Sequence, residues 1–215
     1  MKNKFFTYFV TLFILTQTFN VYAVKNAGDY LVNRIDTNNK NYPAYTAILN
    51  LLNEKNVKVI VETGVAKGDG NLVDEKGSTF IFADWASQNG ASFYSVDVSS
   101  LVVETAKRAT LIYGTKMHIV QSDPIEFLKK FDKMIDFLYI DNMNLDSNNI
   151  KFSYTSHLKK IVAAFPRLHD NSIVMVNNTD SSTASNLAIK FLIARGWVIL
   201  HNDSQVILIP GNDNL

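Results

Sequence analysis

The sequence predicts an α/β fold: a three-layer sandwich with helices on both faces of a mostly parallel sheet. Three observations lead there. Apolar strand-like runs alternate with helical stripes about five times between Val57 and Gly196. The strand runs are nearly continuous in apolar residues, as strands buried on both faces require. The chain then closes on two short apolar runs joined at Asn202-Asp203-Ser204, which reads as a hairpin and predicts an antiparallel edge at the C-terminus.

The elements follow in order. Tyr45, Ile48, Leu49 and Leu52 form a helical stripe that stops at "NEKN", a helix packed beside the main sheet. "VKVIVE" from Val57 is the first strand. "STFIFADWASQ" from Ser78 is a helix with one broad apolar face, and Gly90 ends it. "SFYSVDV" is the second strand, "LVVETAKRATLIYG" a helix, and "KMHIVQSD" the third strand. Pro124 opens the helix "PIEFLKKF", since proline lacks an N–H that the first turn would leave unpaired in any case. "IDFLYIDN" is the fourth strand, and "SHLKKIVAAFPRL" a helix that Pro166 kinks or ends. "NSIVMVNN" is the fifth strand, and "STASNLAIKFLIARG" a helix closed by Gly196.

Composition narrows the functional classes. The chain has 215 residues, 47% of them hydrophobic, and suits one domain with a sizeable core. A net charge of +1 with dispersed basic residues gives no pull toward nucleic acid or an anionic membrane. The absence of cysteine removes thiol nucleophiles and thiolate zinc sites. His118, His157, His169 and His201 have no metal-binding spacing and read as structural or exposed, with His157 nearest the loops that face a ligand. Trp85 and Trp197 read as core. "STAS" at Ser182–Ser185 reads as a helix start, not a nucleophile elbow.

The N-terminus differs from the rest. Lys2 and Lys4 precede an apolar stretch from Phe5 to Leu15, and "VYA" ends at Ala23 in a signal-peptidase pattern. The expected organisation is a signal peptide over residues 1–23, an N-terminal helical extension over 24–56 and the main domain over 57–215. The mature chain is expected to be exported, periplasmic or secreted, with no stable membrane anchor once the signal is cleaved.

In open parallel sheets, ligands bind beyond the carboxyl ends of the strands. Here Glu62, Asp97, Asp123 and Asp141 end four successive strand patterns, and Asn177-Asn178 follow the fifth. A rim so acidic suits hydroxyls, amines or a cation. Phosphate ligands fit poorly. The order "KGST" lacks the Gly-Lys-Ser/Thr step of a P-loop. A G-x-G-x-x-G match fails from Gly64, where Ala66 and Asp69 stand, and from Gly68, where Val73 stands. A cationic, phosphate-free nucleoside such as S-adenosylmethionine suits the rim better. Glu62 would help hold the methionine end, Asp97 would accept from the ribose hydroxyls, and Asp123 would reach the adenine amine.

These segments resemble the class I S-adenosylmethionine-dependent methyltransferases, and a bacterial subgroup of them in particular. The resemblance rests on "VETG" (Val61–Gly64), "DEKGSTFIFADW" (Asp74–Trp85), "FYSVDV" (Phe93–Val98), "QSDPIEFL" (Gln121–Leu128), "IDFLYIDNMNLD" (Ile135–Asp146) and "HLKKIVAAFPRL" (His157–Leu168), in that order. It implies a Rossmann-like sheet of seven strands with the C-terminal strand antiparallel. It implies cofactor contacts at Glu62, Thr63, Gly64, Ser78, Asp97, Val98, Ser122, Asp123 and Asp141, with Asp141 also the catalytic candidate beside the acceptor. Metal-dependent relatives add an acid pair after the fifth strand. Asn177-Asn178 stand there instead, so a divalent metal is not expected, although Asp141, Asn177 and Asn178 would be its ligands. Val65 to Lys76 reads as an insertion covering cofactor or acceptor, after which Ser78 or Thr79 caps the next helix.

Methyl transfer to a small polar, hydroxyl-bearing acceptor is the activity these features imply. It conflicts with the export signal, because the methyl donor is a cytosolic metabolite. An uncleaved tether, action on another cell's supply of cofactor, or a fold that no longer transfers methyl groups would each reconcile the two. The last is the second reading: an exported, catalytically inactive methyltransferase-fold protein that binds a small molecule.

Overall fold

A computed structural model describes residues 27–32, 34–66, 77–141, 150–177 and 186–211. The expected signal peptide, most of the insertion after Ala66, Asn142, Asp146, Asn178 and the "STAS" segment lie outside these residues.

Seven strands form one sheet: β1 (Val59–Thr63), β2 (Ser92–Asp97), β3 (Met117–Gln121), β4 (Phe137–Ile140), β5 (Ile173–Asn177), β6 (Trp197–Asn202) and β7 (Gln205–Pro210). Their spatial order is β3-β2-β1-β4-β5-β7-β6. The pairs β1–β2, β1–β4, β2–β3 and β4–β5 are parallel, whereas β7 runs antiparallel to both β5 and β6. The antiparallel strand is therefore the last in sequence, as expected, but it is not the edge. β7 inserts between β5 and β6 because its "QVIL" segment is buried, whereas Val198, Ile199 and Leu200 of β6 are among the exposed large hydrophobics.

Helices α1 (Ala27–Val32), α2 (Tyr42–Glu54), α3 (Ser78–Asn89) and α4 (Ser100–Thr110) belong to one side of the sheet, and α5 (Pro124–Lys130), α6 (Ile150–Ala164) and α7 (Leu187–Ile193) to the other. Strand alternation divides the core between them. Ile60, Phe93, Phe137, Tyr139, Ile173, Met175 and Ile207 pack on the α1–α4 side, and Val61, Tyr94, Leu138, Ile140, Val174, Val176 and Leu208 on the other. This two-sided burial is why β1, β2, β4 and β5 read as nearly unbroken apolar runs.

Local chemistry sets most helix boundaries. Pro43 lies in the first turn of α2, and the stripe Tyr45, Ile48, Leu49 and Leu52 is buried. Gly90 ends α3 in the left-handed conformation at φ 66°. The side chain of Asp123 accepts from Ile125 N and Glu126 N, while Pro124 fills the first position of α5. Pro166 ends α6, whose last residues tighten into a 3₁₀ turn at Phe165–Arg167. Helix α6 also begins at Ile150, upstream of the expected Ser156. Helix α3 is buried almost all round, not on one face, because α1 and α2 cover its outer side. Tyr30 donates to Asp84 at 2.6 Å and Trp85 Nε1 to Asn53 at 2.9 Å across that contact.

Candidate active site at the β1–β4 switch point

Strands β1, β2 and β3 fan out one way from the centre of the sheet, and β4 and β5 the other, so strand order reverses between β1 and β4. The carboxyl ends flanking that reversal form the crevice where an open α/β sheet takes its ligand. Backbone bonds from Asp141 N to Thr63 O (3.1 Å) and from Gly64 N to Val96 O (2.8 Å) join the ends of β1, β2 and β4. Gly64 turns the chain out of β1 at φ 105°, a conformation side chains rarely allow. Thr63 is fully buried, with its hydroxyl donating to the Tyr139 carbonyl at 3.4 Å.

Glu62 is held by hydroxyls from the neighbouring elements. It is completely buried. One carboxylate oxygen accepts from Ser78 Oγ at 2.5 Å, the other from Thr79 Oγ1 at 2.7 Å and Ser95 Oγ at 2.5 Å. Thr79 Oγ1 in turn accepts from Ala66 N at 2.8 Å. Glu62 thus ties the end of β1, the neighbouring strand, the start of α3 and the glycine turn together. Three hydroxyls, from residues at β2 and α3, thus converge on the carboxylate that the sequence offers for the cationic end of a cofactor. The same geometry corrects the expected cap: Gly77 is the N-cap of α3, and Ser78 and Thr79, inside the first turn, spend their hydroxyls on Glu62. Burial outweighs the three hydrogen bonds and raises the Glu62 carboxyl to about 7.

Asp97 ends β2 nearly buried, with Oδ1 accepting from Ser99 N at 2.8 Å and Oδ2 from Val65 N at 3.3 Å. Val98 beside it is exposed. Ser122 is half-buried, its N–H donating to the Asp97 carbonyl at 3.1 Å and its hydroxyl to the Asp123 carbonyl at 3.2 Å. Asp123 is exposed, uses Oδ1 for both capping bonds of α5, and helps line an open groove of about 890 Å³ between α5 and α6. Asp141 is 6% exposed and accepts at Oδ1 from Asn177 Nδ2 at 2.7 Å.

One residue at this rim is not among the site candidates read from the sequence, although it lies within "HLKKIVAAFPRL". Lys160 on α6 is 6% exposed, and its ammonium donates to the Asp141 carbonyl at 2.9 Å. Burial draws it down to about 8, while Asp141, Asp97 and Asp123 pull the other way, in that order of strength. The signal was available. His157, Lys160, Ile161 and Ala164 are the buried stripe of α6 at helical spacing, and a lysine within such a stripe is rare unless paired.

His157, one turn before Lys160, is 2% exposed, and burial followed by the Lys160 charge lowers it to about 3. Asn186 Nδ2 donates to its Nδ1 at 3.2 Å, which leaves the proton on Nε2, and that atom has no partner among the described residues. Asn177 Oδ1 is likewise buried without a partner among them. The other histidines take structural or surface positions. His118 stacks on Tyr94 with ring centroids 4.5 Å apart, His169 meets Asp136 at 2.9 Å, and His201 is on edge strand β6.

Neither a protein-family model nor a curated protein matches the sequence. Solved structures match the fold. The N-methyltransferase NodS from Bradyrhizobium japonicum WM9 superposes with a TM-score of 0.56 at 12% identity, over 83% of this chain and 100% of that one. MycE, a methyltransferase from the mycinamycin biosynthetic pathway solved with Mg and S-adenosylhomocysteine, gives 0.60 at 13%, over 89% of this chain and 56% of that one. The S-adenosylhomocysteine-bound methyltransferase PaMTH1 from Podospora anserina gives 0.54 at 12%, over 87% and 86%. The architecture is the Rossmann-like fold of the class I methyltransferases, as expected from the sequence.

Proposed function

We propose that the protein is an exported S-adenosylmethionine-dependent methyltransferase acting on a small polar, hydroxyl-bearing acceptor. The observation that carries this reading is the convergence of the Gly64 turn with Asp97 and Asp141 at the strand-order reversal of a methyltransferase-type sheet. The residues present suit the cofactor. Gly64 lets a ligand approach the backbone, Asp97 sits at the β2 end where ribose hydroxyls would be accepted, and Asp123 keeps Oδ2 clear of its capping bonds for the adenine amine. Once bound, the sulfonium would supply the methyl group.

The chain's own task is alignment and exclusion of water, because transfer is a direct displacement at carbon. Asp141 and Asn177 form the wall against which an acceptor hydroxyl would be oriented. A base is needed only for an acceptor that must lose its proton. Export is proposed from Lys2, Lys4 and the apolar stretch that follows them.

The second reading, an inactive binding protein of the same fold, draws on Lys160, a buried charge of the same sign as the methyl donor. Calorimetric titration with S-adenosylmethionine and S-adenosylhomocysteine separates the two. Binding of both is expected. A folded protein that binds neither would reject the enzyme.

A further inference from the structure

The positions that would ligate a divalent cation in this fold do not suit one. Asn177 turns its amide N–H, not its oxygen, toward Asp141, donating to Oδ1 at 2.7 Å. One carboxylate and neutral amides make a poor donor set for a hard cation, which prefers several charged oxygens. The Lys160 ammonium also stands 2.9 Å from the Asp141 carbonyl, 6% exposed, where a like charge is weakly screened.

We infer that Lys160 is the resident cation of this rim, taking the place of a divalent metal beside Asp141 and Asn177, so that the acceptor is held through an oxygen lone pair without a metal. The charges support the substitution. The Lys160 ammonium, buried and held 2.9 Å from the Asp141 carbonyl, offsets the acidity of strand ends that would otherwise attract a cation from solution. Two buried atoms on its neighbours have no partner among the described residues: the Nε2–H of His157, one helical turn earlier, is a donor, and Oδ1 of Asn177, whose amide bonds to Asp141, is an acceptor. A hydroxyl can donate and accept, and so can meet groups of both kinds. A metal ion would repel the donors. A substrate oxygen against the Lys160 ammonium is the arrangement this set of groups favours.

The acceptor part of this inference rests on the methyltransferase reading; the metal part does not. The test is titration of the whole chain with Mn²⁺, followed by the loss of the free-ion electron paramagnetic resonance signal. Wild type is expected to bind Mn²⁺ no tighter than about 1 mM. Lys160→Met is expected to bind it at least about tenfold tighter, through the exposed acidity, while Lys160→Arg stays like wild type. Should Lys160→Met fail to fold, Lys160→Gln keeps a donor for the Asp141 carbonyl, lacks the charge, and carries the same expectation. Tight Mn²⁺ binding by wild type, or no gain on removing the charge, overturns the inference. Calorimetry of S-adenosylhomocysteine on the same samples reports on the methyltransferase reading separately. Its failure in wild type would remove the acceptor role and leave the metal result intact.

Discussion

Replacing Glu62 with glutamine sets two physical effects against each other. Burial favours the neutral acid, while the hydroxyls of Ser78, Thr79 and Ser95 and the N-terminus of α3 favour the carboxylate. Burial prevails, with the folded carboxyl at about 7 against an ordinary value of 4.5. The folded state then holds a proton that the unfolded chain has released between those two pH values. This contribution to stability is complete below pH 4.5 and is lost as pH rises through about 7. At 1.36 kcal/mol per unit, the loss amounts to about 3 kcal/mol. Glutamine keeps the shape and cannot ionise, and the facing hydroxyls can rotate to accept from its amide. Urea denaturation of both proteins from pH 4 to pH 8 gives the difference in unfolding free energy, from which all other titrating groups cancel. Wild type is expected to lose about 3 kcal/mol relative to Glu62→Gln across that range. A flat difference, or one favouring wild type at high pH, would mean that the hydroxyl cage holds an ionised carboxylate and would refute the argument.

Other expectations follow from single contacts. Asp97→Ala should weaken S-adenosylhomocysteine binding by two charge-assisted hydrogen bonds, on the order of 100-fold, in a protein that remains folded by circular dichroism; unaltered affinity would mean that the rim is misassigned. Asp123→Ala removes the cap of α5 and should cost about 1 kcal/mol in urea denaturation, and no change would refute the capping role. Tyr30→Phe removes the 2.6 Å bond that pins α1 to Asp84 and should cost about 1–2 kcal/mol, with faster amide exchange confined to α1. His157, held near 3 in the fold, should show no imidazole titration between pH 5 and 8 by NMR. Its contribution to stability is complete above the ordinary value of 6.5 and is lost as pH falls toward about 3; a midpoint near 6.5 in the folded protein would refute its burial.

Much of the molecule is legible without coordinates because its signals are local. Unbroken apolar runs mark strands covered on both faces, Gly90 and Pro166 end helices through their own backbone restrictions, and Asp123-Pro124 announces the start of α5. The acids at the strand ends are equally plain. What escapes is direction. A carboxylate at the end of β1 reads the same whether it faces a ligand or a ring of hydroxyls, and Ser95, 33 positions away from Glu62, is one of those hydroxyls. Lys160 is marked only by its helical spacing with His157, Ile161 and Ala164, and nothing in "HLKK" says that it meets the carbonyl of Asp141.

The sequence by itself determined the alternation of elements, the two-sided burial of the sheet and the acidic character of its open end, since each depends on residue type and near-neighbour spacing. Only the tertiary structure decided that β7 lies inside the sheet, that Glu62 is enclosed and that a lysine from α6 enters the acidic rim. These depend on which distant surfaces meet, and such meetings are set by packing across the whole core, not by any short stretch of chain.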